Sequence, residues 1–115
     1  MPIQGANDRI REAVLSWAGV TAHPHRFGGT EYRLGRREIG HMHGDSLVDI
    51  PFPTKVRNEL VDAGRAEPHH VLPESGWISF YIREPTDVEE AIGLLRLSFD
   101  LATEQARKRN VTSDE

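Results

Sequence analysis

The chain contains no cysteine, which removes a disulfide framework, a thiolate nucleophile and every zinc site built on thiolates. Long apolar runs are missing too. The longest, Val48 to Pro51 and Trp77 to Ile82 with Ser79 inside it, fall far short of the ~20 residues that span a bilayer. The opening stretch MPIQGANDRI shows no basic region followed by an apolar core, so it does not read as a secretory signal. These absences point to a cytoplasmic protein. There is no excess of basic charge either: a formal net charge of −4 and a pI near 5.8 argue against a general nucleic-acid surface, which needs a positive field. Repeats, low-complexity tracts and interdomain linkers are absent. What remains is 115 residues, 37% hydrophobic and 28% charged, enough for one domain with its own core. That core is expected over residues 6–106, with a polar tail over 107–115.

Hydrophobic spacing supplies the elements. From Asn7, the series Ile10, Ala13, Val14, Trp17 keeps one face of a helix apolar, with Asn7 as its cap and Gly19 as its end. The period then changes: His23, His25 and Phe27 share one parity, and Tyr32 and Leu34 share one in the next stretch, which reads as short strands turned at Gly28-Gly29 and Gly35-Arg36. Val48, Ile50 and Phe52 alternate with Leu47, Asp49 and Pro51, a half-buried strand. A short helix is expected from about Pro53, with Thr54 as cap and Gly64 as stop. RAEPHHVLPESG reads as a loop. Ile78, Phe80 and Ile82, alternating with Trp77, Ser79 and Tyr81, form the clearest strand. Thr86 and Glu89 fit a capping box, ahead of a long helix striped by Val88, Ile92, Leu95, Phe99 and Ala102.

The expected fold is therefore α+β. It is a two-layer sandwich of an antiparallel sheet of four to five strands with helices, in the order α-β-β-β-(β)-α-β-α.

The chemistry concentrates in His41-Met42-His43-Gly44-Asp45, because alternate strand residues aim both imidazoles at one face. Two histidines are half of a zinc site, and Asp45, His25, or His69 with His70 could supply a third ligand. The HxHxDH signature of metallo-β-lactamase-like hydrolases is not met, since Ser46 stands where its last histidine would be. The bland account makes His41 and His43 polar rungs bonded to Asp45 or Glu38, and on that account no metal and no cofactor is expected. Arg33, Arg36 and Arg37 can fork around a carboxylate or phosphate, or simply pair with Glu31 and Glu38. Arg107-Lys108-Arg109 complements the dipole of a last helical turn. Trp77 and Tyr81 lie opposite the Ile78-Phe80-Ile82 face and are either core or part of a binding surface. Gly28-Gly29 lacks the helix and lysine of a phosphate loop, and the serines lie in no nucleophile-elbow context.

The combination RFGG, EYRLG, REIGH, HGD and DIPFP, followed by AEPHHVLPESGW and a closing LLRLS helix, resembles the small bacterial and fungal proteins of the luciferase-domain family. The likeness runs from about Trp17 to Leu101. The family name implies an oxidative, light-emitting chemistry, but the resemblance brings no catalytic residues with it. EPHHVLPESGWISFYI with LLRLSFDLA is more faintly similar to the MmcQ/YjbR-like proteins, which implies a double-wing sheet and DNA as partner.

The leading expectation is a binding module for a small anionic ligand or a protein partner, acting as a monomer or homodimer. Its site would draw on Arg33, Arg37, His41, His43, Asp45, His69, His70 and Trp77. A metal-assisted or oxidative enzyme using His41 and His43, or one with a histidine as general base, and a nucleic-acid-binding double-wing protein using Arg33, Arg36 and Arg37 are the alternatives.

Overall fold

A computed structural model describes residues 3–25 and 28–113; Phe27 of the expected strand parity lies outside them. The elements run α1 (Ala6–Leu15), β1 (Val20–Pro24), β2 (Thr30–Leu34), β3 (Arg37–His43), β4 (Leu47–Pro51), α2 (Thr54–Asp62), β5 (Glu67–Pro68), β6 (Trp77–Tyr81) and α3 (Pro85–Ser113). The six strands form one antiparallel sheet in the order β1-β2-β3-β4-β6-β5. The α+β class and the element order agree with expectation. The strand count is higher because Glu67–Pro68, inside the stretch read as a loop, pairs with Ser79 and Ile78 of β6. Two residues with a proline carry no period by which a strand is recognised. None of the described helices is long and apolar enough to cross a membrane.

The apolar stripe of α3 does what its spacing implies. Val88, Ala91, Leu94, Leu95, Phe99 and Ala102 are buried, together with Ile10 and Val14 of α1 and Ile39, Met42, Val48, Ile50 and Ile78 of the sheet. Burying such aliphatic side chains contributes roughly 1.5–3 kcal/mol each before chain entropy is set against it. Gly40 lets α3 approach, since a Cβ there would stand 2.5 Å from Leu95 Cδ2. Trp17 lies beyond the end of α1 and packs on Phe99 at 5.4 Å between ring centroids.

Three caps differ from expectation. Gly5, not Asn7, is the N-cap of α1. Asn7 lies inside the helix, where its backbone N–H donates to Asp45 Oδ1 at 2.8 Å and its side-chain amide to the Gly44 carbonyl at 2.9 Å. Pro53 precedes α2 in place of a Thr54 cap. At α3 the capping box sits two residues early, because Asp87 Oδ2 accepts the N–H groups of Arg83 and Glu84 at 2.9 and 3.0 Å. The backbone of α3 continues helical to Ser113, through most of the stretch read as a tail.

Because Asp87 takes the two backbone donors, Asp87→Ala is expected to lower stability by about 1 kcal/mol, the usual cost of losing such a cap. Thr86→Ala should cost only a few tenths of that. Urea unfolding midpoints of the two variants decide between these registers.

Candidate functional site

Directly opposed residues of antiparallel strands share a face, and the register of the three central strands aligns His41 of β3 with Asp49 of β4 and Asp49 with Ser79 of β6. Asp49 therefore sits between a histidine and a serine, fully buried. Ser79 Oγ donates to its Oδ1 at 2.8 Å. Its Oδ2 faces four imidazoles: His43 Nε2 and His70 Nε2 at 3.0 Å, His41 Nε2 at 3.2 Å and His69 Nε2 at 3.4 Å. His41 and His43 come from alternate positions of β3, as their spacing predicts. His69 and His70 follow directly on β5, and the backbone N–H of His70 donates to Ser79 Oγ at 3.2 Å, which fixes the pair against β6.

A β-bulge brings in a further carboxylate. Tyr32 pairs with Gly40 but Arg33 pairs with Glu38, leaving Ile39 as the extra residue of β3 and resetting the alternation of faces. Glu38, three residues before His41, thus shares its side, and His41 Nδ1 lies 2.6 Å from Glu38 Oε2. His25 stacks on His41 with ring centroids 4.0 Å apart. Trp77, the next cleft-facing residue of β6, lies 5.3 Å from His41 and 5.9 Å from His69 by the same measure. These side chains floor a cleft of about 450 Å³ whose outer wall is Val71 and Leu72. Those two are 67% and 52% exposed. Their backbone N–H groups donate to His69 Nδ1 at 3.1 and 2.9 Å.

The charges follow from these contacts. Burial works to strip the His41 proton, but bonds to Asp49 and Glu38 and the charge of both outweigh it and hold the imidazolium to a pKa of about 9. Burial likewise opposes ionisation of Asp49, yet His41, His70, Ser79 and the neighbouring His69 keep its carboxyl well below the usual carboxylate range. His43 is lowered by burial and by the charge of His41, and His69 by burial, against the pull of Asp49. The site thus sets a proton-holding imidazole, His41, and a buried carboxylate, Asp49, beside two imidazoles whose protonation is disfavoured, the mixture that proton transfer and metal binding both draw on.

Of the eight residues expected to form the site, the structure brings together His41, His43, His69, His70 and Trp77. Asp45 is elsewhere, accepting the α1 backbone donor described above. Arg33 pairs with Glu31 at 2.5 Å, and Arg37 donates to Gln105 Oε1 on α3. Asp49 and Glu38 were not among the eight. Asp49 looks like one more polar rung until the register sets it opposite His41. Among the described residues, two groups have potential ligand atoms within 4.8 Å of one another: His41, His43 and Asp49, and Asp49, His69 and His70.

A sequence model of the luciferase domain matches residues 36–98, more than half of the 115 residues. The chain belongs to the luciferase-domain family. The matched segment contains Glu38, His41, His43, Asp49, His69, His70 and Trp77, the whole cluster except His25, and leaves out α1, β1 and β2. No curated protein and no solved structure matches this luciferase-domain chain. The fainter likeness to the MmcQ/YjbR-like proteins gains nothing from these comparisons.

Chelator-treated protein should be most stable near pH 6.5. Below that, His43 and His69 take up protons more readily unfolded than folded, so stability falls with falling pH, and the Asp49 contribution is lost as its carboxylate is protonated below the ordinary 3.8. Above 6.5 the folded state holds the extra proton on His41, and that stabilisation fades as the pH rises through about 9. Glu38→Gln should draw the alkaline limb to lower pH and leave the acid limb in place. Urea midpoints measured from about pH 4 to pH 10 test this, and an unmoved alkaline limb would refute the role given to Glu38.

Proposed function

We propose that this luciferase-domain protein binds a small molecule in the cleft above Asp49, with an apolar body against Trp77, Val71 and Leu72 and an oxygen-bearing head among the histidines. The observation that carries this reading is the division of one cavity of about 450 Å³ into an apolar wall and an imidazole floor. Ligand sites have that size and that composition, mostly apolar with a few converging polar groups. Val71 and Leu72 support it further: two exposed aliphatic side chains side by side at a cavity mouth gain from a partner what they lack in burial.

Arg33 and Arg37 are engaged outside the cleft and the His41 charge is held between Glu38 and Asp49, which counts against the anionic ligand expected from the sequence. A polar, neutral head suits the floor better. The same two engagements take Arg33 and Arg37, though not Arg36, away from the phosphate contacts of the nucleic-acid reading. Acid–base catalysis on the bound molecule is the enzyme form of this reading. His43 and His70 are then the groups to exchange protons, being the more exposed of the four around Asp49.

2-Naphthol and 2-naphthoate share a shape and differ in charge, and chelator-treated protein is the sample to use. The neutral compound is expected to raise the melting temperature and to perturb Trp77 fluorescence, contributing about 1.4 kcal/mol at ten times its Kd, while the anion binds more weakly. A Val71→Ser, Leu72→Ser double variant should melt like the parent without ligand and bind 2-naphthol roughly tenfold more weakly. Binding that is indifferent to both side chains would place the ligand elsewhere.

A further inference from the structure

We infer that the floor of the cleft is a site for a divalent transition-metal ion, with His41 Nε2, His43 Nε2 and Asp49 Oδ2 as its ligands. The inference goes beyond small-molecule binding and does not depend on it.

The first ground is the number of donors. A carboxylate oxygen offers about two lone-pair positions, yet four imidazole nitrogens crowd Asp49 Oδ2 within 3.4 Å. Hydrogen bonding from His43 and His70 is enough to fill those positions, yet His41 and His69 crowd the same oxygen. Ligand atoms held 2.0–2.2 Å from one ion stand roughly 3.0–3.6 Å from one another. The 3.0 and 3.2 Å separations of Oδ2 from His43 and His41 fall in that range.

The second ground is what lies behind each ligand. Glu38 accepts from His41 Nδ1 at 2.6 Å, which turns Nε2 inward, the backing that carboxylates give to metal-bound histidines. Ser79 occupies Asp49 Oδ1, so the other oxygen faces the centre. His69 has the opposite polarity. Its Nδ1 accepts two backbone N–H groups, so its ring hydrogen is on Nε2, and it donates toward Asp49 instead of ligating. It is a positioning residue. His70, partly exposed and 3.0 Å from the same oxygen, is a further donor on the open side.

The third ground is charge. Among the described residues the cleft is lined by the carboxyl groups of Glu38 and Asp49 and by no lysine or arginine, a lining that favours a cation at its floor. Imidazole nitrogen with one carboxylate oxygen and no thiolate suits zinc or ferrous iron over magnesium or calcium. A set of two histidines and one carboxylate leaves positions open toward the cleft.

The test is calorimetric titration of chelator-stripped, untagged protein with Zn²⁺, repeated with Fe²⁺ under anaerobic conditions. One equivalent is expected to bind. The His41→Ala, His43→Ala double variant should lose that binding. Glu38→Gln should bind 10–100-fold more weakly, the usual effect of removing the group behind a metal-bound histidine. His23→Ala should bind like the parent, because His23 contacts Thr21 Oγ1 outside the cleft. Should the double variant fail to fold, Glu38→Gln decides, with circular dichroism confirming its fold. No uptake of either ion by the parent would overturn the site, as would uptake that Glu38→Gln leaves unchanged. Failure of the naphthol experiment, which is run with chelator, would leave this result untouched.

Discussion

The structure depends on a single buried carboxylate. Asp49 lies in β4, inside the sheet, where an unpaired charge would be too costly to keep. Everything around it answers that cost: the Ser79 hydroxyl on one oxygen and imidazoles on the other. These partners come from β3, from β6 and from the segment after β5, so satisfying one side chain ties three parts of the sheet together. Removing the carboxylate would strand a buried hydroxyl and leave His41 facing only Glu38, a loss larger than any one of these contacts contributes alone.

Two backbone features make the arrangement possible. The bulge at Ile39 puts Glu38 on the same face as His41, so the ring is held from both nitrogens and its orientation is fixed. Gly40, next in the chain, lets Leu95 of α3 lie against β3 from the other side. The strand that carries two of the four histidines is thus clamped between a packed helix and a hydrogen-bonded carboxylate. A side chain held this way is preorganised, which is what both ligand binding and proton transfer require.

The legible parts of the fold were those written in local period. The stripes of α1 and α3, the alternation of β6 and the shared face of His41 and His43 follow from spacing within one element. The site itself is non-local. Asp49 stands six residues after His43 and has no distinguishing neighbours; only the pairing of β3, β4 and β6 sets it against His41 and Ser79. Arg33 and Arg37 fail as site residues for the converse reason, being near the histidines in sequence yet committed to Glu31 and Gln105. Asp45 misleads in the same way, since α1 folds back to present Asn7 to it. Glu38 depends on a bulge, and a single extra residue inverts every parity argument that spans it.

His69 links the floor of the cleft to its mouth. Its Nδ1 holds the backbone of Val71 and Leu72 while its Nε2 faces Asp49, so the imidazole is a rigid strut between the apolar wall and the carboxylate. The ring cannot turn without giving up two backbone bonds, and the loop cannot swing without moving the ring. A molecule that presses on Leu72 therefore acts on Asp49 through one side chain. The exposed apolar lip and the buried ionic floor are in this sense joined through one side chain.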